Sequence, residues 1–346
     1  MSDSLGQVLD SLASVALPGE EGLLFDLSDL DLTQLERFQS VWSELPDARR
    51  FLLLETLGGL ARDHVELTFD LIDRMALDDP SAEVRRVAIE NLWESEDTSL
   101  VGPLRAALQT DDQPGVRKAA ASALGQFVYL GEVGRLDAES LAQLESALLS
   151  THEVDPEPMV RLQALESLGF SSRPEVPALI ERAFRSNVED SRKSALRAMG
   201  RTANERWKDE ILPELHSPSP SLRLEASRAT GELELREGVP ILIELLDDVD
   251  GQVRRAAIWS LGQLGGPRAR RALTEISKSS QGEEEASGVE DALDHLAFVD
   301  GSLDLDLLEM DEDVEDEDLE DETAEAREAE GDEAESEEDG AGEEAD

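Results

Sequence analysis

Apolar and small residues return along the chain in one recurring register. In the stretch "VRRAAIWSLG" they stand at Val253, Ala257, Ile258 and Leu261, offsets 0, 4, 5 and 8 from its start. At about 100° per residue these offsets cover roughly 140° of a helix, so the stretch is predicted as an amphipathic helix with a one-sided stripe. The register recurs from Val84, Val116, Val160, Ser191 and Leu222, with successive starts 32, 44, 31, 31 and 31 residues apart. The interval of 44 reads as one unit plus an insertion near "LGEVGRLDAES". Weaker copies begin near Arg49 ("RRFLLLETLGGLA") and Glu285 ("EASGVEDALDHL"). Shorter helical stretches led by Pro or an acid, such as "PEVPALIERAF" and "EGVPILIELLDD", separate the copies.

Each unit is therefore predicted as two antiparallel helices, A then B. One such pair cannot bury its own stripe, whereas stacked pairs can. The expected fold is all-α: a right-handed α-solenoid of antiparallel helix pairs over 23–299. A flexible segment over 1–22 is expected before it, and a disordered acidic tail over 300–346 after it. Thr33 and Glu36 have capping-box spacing and open a helix whose apolar face is Leu35, Phe38, Val41 and Trp42. That helix is expected to cap the solenoid, with Trp42 in its core.

Two further columns repeat. Offset 1 is Arg in all six clear units (85, 117, 161, 192, 223 and 254), at the border of the stripe. Five residues before each start stands Asp79, Asp111, Asp155, Ser186, Ser217 or Asp248. An arginine so placed is partly desolvated and needs a partner, so a ladder between these arginines and the Asp or Ser side chains is expected. Offset 9 is Gly in five of the six units (125, 169, 200, 231 and 262), read as a helix stop in the left-handed conformation.

At this point "D…VRRAAIWSLGQLGG" resembles the short HEAT-like repeat of phycobilin lyase subunits, over roughly residues 46 to 297. That repeat class also includes deoxyhypusine hydroxylases and HEAT-like DNA glycosylases. The resemblance implies the solenoid, with helix B lining its concave side; function does not follow from it.

Offsets 2 and 6 point away from the stripe. They hold Arg86, Lys118, Leu162, Lys193, Leu224 and Arg255, then Glu90, Ser122, Glu166, Arg197, Arg228 and Trp259. Six of these twelve are basic and two acidic, in a chain of net charge −50. This local inversion of sign, with Trp259, Leu162 and Leu224 among the cations, points to an acidic-apolar peptide on the concave face. The candidate contacts are thus Arg86, Lys118, Leu162, Lys193, Arg197, Leu224, Arg228, Arg255 and Trp259. Residues 311 to 346 hold 22 acids and one Arg, too few apolar groups to fold. Leu305, Leu307 and Leu308, just before them, form an acidic-apolar docking pattern for a basic partner.

The same charge disfavours nucleic acid and anionic membranes, since both select for basic surfaces. The chain has no cysteine, hence no disulfide, thiol nucleophile or thiolate metal site. No leader or spanning segment is evident, and a cytoplasmic location is expected. The four histidines are scattered, and only His152–Glu153 forms the His-Glu pair by which deoxyhypusine hydroxylases hold iron. No cofactor, metal or catalytic residue is assigned. The expected function is a non-catalytic scaffold or adaptor. The alternative is a lyase or chaperone-like enzyme of the phycobilin-lyase class, acting on a small molecule or modified protein.

Overall fold

The computed structural model describes residues 4–13, 21–278 and 285–298, which contain helices and no strand. The chain divides into two units, Met1–Leu235 and Arg236–Asp346. The first opens with α1 (Ser4–Ala13), α2 (Leu32–Trp42) and α3 (Asp47–Asp63). Five pairs follow: α4 (Asp70–Ala76) with α5 (Ala82–Asn91), α6 (Val101–Thr110) with α7 (Pro114–Glu132), α8 (Ala138–Val154) with α9 (Pro158–Leu168), α10 (Val176–Phe184) with α11 (Glu189–Arg201), and α12 (Lys208–Glu214) with α13 (Pro220–Glu232). The second unit holds α14 (Val239–Glu244) with α15 (Gly251–Leu264), then α16 (Gly266–Ile276) and a helix over 285–298.

Each A helix of the five pairs packs on its following B helix, and α3, α5, α7, α9, α11 and α13 stack in succession. The fold is an α-solenoid, as the register predicts. Val116, Ala120, Ala121 and Leu124 of α7, with Val160, Ala164, Leu165 and Leu168 of α9, are at most 1% exposed. Each such Val or Leu contributes about 1.5–3 kcal/mol. The insertion lengthens α7 to 19 and α8 to 17 residues. Its turn carries Gly134 at φ 78, and the Asp137 side chain caps α8 by accepting from Ser140 N at 2.9 Å.

The offset-9 glycines are not left-handed stops. Gly125, Gly200, Gly231 and Gly262 lie inside α7, α11, α13 and α15, and Gly169 caps α9 at φ −54. Gly125, Gly169, Gly200 and Gly262 are packing notches. A Cβ on Gly125 would stand 2.9 Å from Ser167 Oγ, on Gly169 2.6 Å from Ala198 O, and on Gly262 2.9 Å from Ala292 Cβ. Ser167, Ala198 and Ala292 each occupy offset 7 of the next unit, so one column of glycines receives one column of small residues. Two polar offset-7 residues bond backward. Ser167 Oγ donates to Ala121 O at 2.7 Å, and Asn91 Nδ2 donates to Leu54 O at 3.1 Å.

Helix α2 is capped by Asp31 and Gln34, each two positions before its expected counterpart, Thr33 and Glu36. Asp31 Oδ1 accepts from Gln34 N and Gln34 Oε1 from Asp31 N, both at 2.8 Å. Asp31 precedes the first helical turn, whereas Thr33 already lies within it. Trp42 is core, and its Nε1 donates to Asp79 Oδ2 at 2.9 Å. Buried helix begins at α1, ahead of the expected start at residue 23, with Val8 and Leu12 fully buried. Residues 300–346, including Leu305, Leu307 and Leu308, lie outside the described residues.

Candidate interaction groove

The ladder sets the frame of the groove. Arg85 Nη1 donates to the carbonyl of Asp79 in its own unit at 2.8 Å. Its Nε and Nη2 then grip Asp111 of the next unit at 2.8 and 3.0 Å. Arg117 repeats this on Asp111 O at 2.9 Å and on Asp155 at 2.8 and 3.1 Å. In the second unit Arg254 takes Asp248 O and Glu285, both at 2.8 Å. Burial pushes the Asp111 and Asp155 carboxyls up. The Arg85 and Arg117 hydrogen bonds, with backbone N–H groups of Gln113 and Glu157, pull harder, and both settle below the usual carboxylate range.

Beside the ladder, α5, α7, α9 and α11 present two adjoining cavities of about 1010 and 600 Å³ that share Lys118, Met159 and Gln163. Arg86 lines the smaller, Lys118 both, and Leu162, Lys193 and Arg197 the larger. Leu224 and Arg228 of α13 line neither. Arg255 and Trp259 belong to α15 of the second unit, where Trp259 is 42% exposed.

Most of these cations are already engaged. Arg86 meets Glu83 at 3.1 Å and Glu90 at 2.5 Å, and Lys193 meets Asp190 at 2.7 Å. Arg197 bridges Glu166 at 3.2 Å and Glu225 at 2.5 Å. Glu166 is itself buried and accepts from Ser194 Oγ at 2.6 Å, so it does not point outward as its offset suggests. The reason is that α11 packs on the side of α9 that carries offset 6. The Glu225 and Glu166 partners raise the Arg197 pKa further despite burial. Lys118 has no side-chain partner among the described residues. The lining as a whole still carries seven basic and five acidic residues, in a chain of net charge −50.

Other lining residues were not singled out by the register. Trp93 stands at offset 9 of its unit, where the later units have glycine. There α5 ends at Asn91, a 3-10 turn Leu92–Glu94 follows, and Trp93 is 56% exposed in the smaller cavity. That exception to the glycine column was the signal that could have found it. Nothing in the repeat marks Met159 or Phe170. The Arg201 guanidinium lies 5.1 Å over the Phe170 ring and donates to Glu166 O at 2.9 Å. His152 donates from Nδ1 to Arg161 O at 2.9 Å, with Arg182 Nη2 3.4 Å from its Nε2. Burial, aided by Arg182, holds its pKa below the ordinary value and keeps the ring neutral. Among the described residues no group of three His, Asp or Glu is arranged to hold a metal ion, and no helix is long and apolar enough to cross a membrane.

A family model for HEAT repeats matches residues 70–154 and 208–294. The "Uncharacterized phycocyanin operon protein Z" of Pseudanabaena tenuis (strain PCC 7409) is 29% identical over 173 residues, 49% of this chain and 83% of that protein. Among solved structures, the complex of CpcE and CpcF of phycocyanin lyase from Nostoc sp. PCC7120 aligns with a TM-score of 0.45 and 20% identity, over 67% of this chain and 95% of that one. Human deoxyhypusine hydroxylase in complex with glycerol aligns with a TM-score of 0.36 and 20% identity, over 85% and 97%.

Proposed function

This chain is a HEAT-repeat protein, and on that premise we propose that it is a non-catalytic cytoplasmic scaffold. It seats an extended acidic-apolar segment of a protein partner in the groove of α5 to α11. The observation that carries this reading is Lys118, unpartnered where the two cavities meet, flanked by exposed Trp93 and Met159. Aromatic and cationic groups side by side in a cavity are the usual anchors of an interface. The surplus of basic lining residues on a strongly acidic chain selects for negative charge and repels basic segments. Leu224 and Arg228 on α13, and Arg255 and Trp259 on α15, are proposed as separate contacts outside the groove.

The test is fluorescence anisotropy with a dye-labelled peptide alternating leucine and aspartate. Trp93→Ala should weaken binding by about 2 kcal/mol, roughly thirtyfold, and Lys118→Glu by at least about tenfold. Neither should lower the melting temperature, because both side chains are exposed. Binding equal to wild type in both variants would sink the reading.

The match to the phycocyanin operon protein favours a second reading, a lyase-type or chaperone-like subunit acting on a small molecule or modified protein. It calls for a chromophore, seen as visible absorbance, to copurify with the protein from its native source.

A further inference from the structure

We infer that Arg161 is a carboxylate-binding site, where an acid from outside the chain completes a rung that the ladder leaves open. The inference deepens the reading of the groove as a peptide site and rests on it for the source of that acid. The template occurs in two successive repeats. Arg85 and Arg117 are each tethered through Nη1 to carbonyls five and six residues earlier, Asp79 and Pro80 at 2.8 and 3.2 Å, Asp111 and Asp112 at 2.9 and 3.3 Å. The tether aims the Nε–Nη2 edge at the next unit, where Asp111 or Asp155 fills it with both carboxylate oxygens.

Arg161 is tethered the same way, to Asp155 O at 2.6 Å and Pro156 O at 3.1 Å. The next unit, however, offers Ser186 in place of an aspartate. A serine oxygen is too short to span the gap and carries no charge. Arg192, which also faces a serine position, takes Glu214 instead. Of Arg50, Arg85, Arg117, Arg161, Arg192 and Arg254, Arg161 is the one whose Nε and Nη2 hold no carboxylate among the described residues. Both Arg161 and Ser186 line the larger cavity, so the open edge is reached from solvent. The ligand this edge fits is a planar carboxylate held by two parallel hydrogen bonds. An Asp or Glu side chain of the segment in the groove would supply it, and a small free acid shares the chemistry.

Ser186→Asp tests the inference without removing anything the fold uses. Ser186 Oγ already accepts from Val188 N at 3.1 Å, as Asp111 Oδ1 accepts from Gln113 N at 2.9 Å, so the turn suits an aspartate. The variant should melt at a higher temperature than wild type and than Ser186→Asn. The direct readout is the ¹⁵N resonance of Arg161 Nε, assigned by its loss in Arg161→Lys. In wild type it should shift saturably with sodium acetate and not with sodium chloride at equal ionic strength. In Ser186→Asp it should ignore both. Equal responses to the two salts, or a Ser186→Asp protein that responds like wild type, would overturn the site.

The leucine–aspartate peptide gives the second arm. Wild type should prefer it over its leucine–asparagine counterpart by about tenfold, and Ser186→Asp should lose that preference. Peptide binding that depends on Lys118 while Arg161 ignores acetate would leave the groove reading standing and remove this site. An acetate response without peptide binding would do the reverse, and assign the site to a small acid.

Discussion

What an added methyl group would touch decides the role of each glycine. At Gly169 it would meet the Ala198 backbone, O at 2.6 Å and Cα at 2.9 Å, which cannot swing aside. Gly169→Ala should therefore cost about 1–3 kcal/mol, the range for overpacking, although alanine favours helix over glycine. Gly115, in the first turn of α7, has its nearest contact at 3.7 Å from Arg86 Cδ. Gly115→Ala should be neutral or stabilise by up to ~1 kcal/mol. Urea denaturation of the two variants reads the contrast. A helix stop and a packing notch both appear as Gly after the last apolar residue. They differ in the next unit, where offset 7 is small in every copy, Asn91, Ala123, Ser167, Ala198, Ala229 and Ser260. The Arg85 and Arg117 rungs were legible because each arginine and the aspartate of the next repeat stand at fixed positions in their repeats; the glutamates that Arg192 and Arg254 take lie off that column and were not.

At the scale of the helix, periodicity gives a residue's direction around its own axis and leaves open what packs there. That is why the solenoid and its stripes could be read, and the state of the groove cations could not. Arg197 meets Glu166 and Glu225 from positions 31 and 28 residues away, across two helix interfaces. Glu225 is 1% exposed, and one of its oxygens has no hydrogen-bond partner. Removing the arginine strands two buried carboxylates. Arg197→Gln should thus cost on the order of 3–5 kcal/mol near neutral pH. Adding Glu225→Gln should return part of that loss, and a double-mutant cycle by chemical denaturation measures the coupling. An independent pair of surface charges would show no such recovery.

For the whole molecule, two sets of carboxyls pull stability in opposite directions with pH. Asp111 and Asp155 are held below the ordinary value. Their contribution is complete above that value and is lost as pH falls through their depressed pKa values. Burial raises Asp73 and Glu145 above the ordinary value, against the pull of Asn91 and Ser171 respectively. These two favour the folded state most at low pH, and that share declines as pH rises through their raised values. Asp155→Asn should accordingly lower stability at neutral pH and flatten its fall on acidification. Glu145→Gln should raise stability near neutral pH. Thermal melts across the acid range separate the two. A variant of Asp155 with an unchanged acid slope would show that its rung is not linked to folding.

The matching of Asp to Arg and of glycine notch to small residue makes the array editable by whole turns. Excising residues 160–190 would join Met159 to Ser191 and leave Asp155 five positions ahead of the new start. Arg117 would keep its carboxylate, and Gly125 would receive Ala198 where Ser167 now stands. The shortened chain should still unfold in one cooperative step by circular dichroism, without the Arg161 edge. A deletion two residues longer or shorter would break both correspondences at once, and should yield a chain that melts without cooperativity.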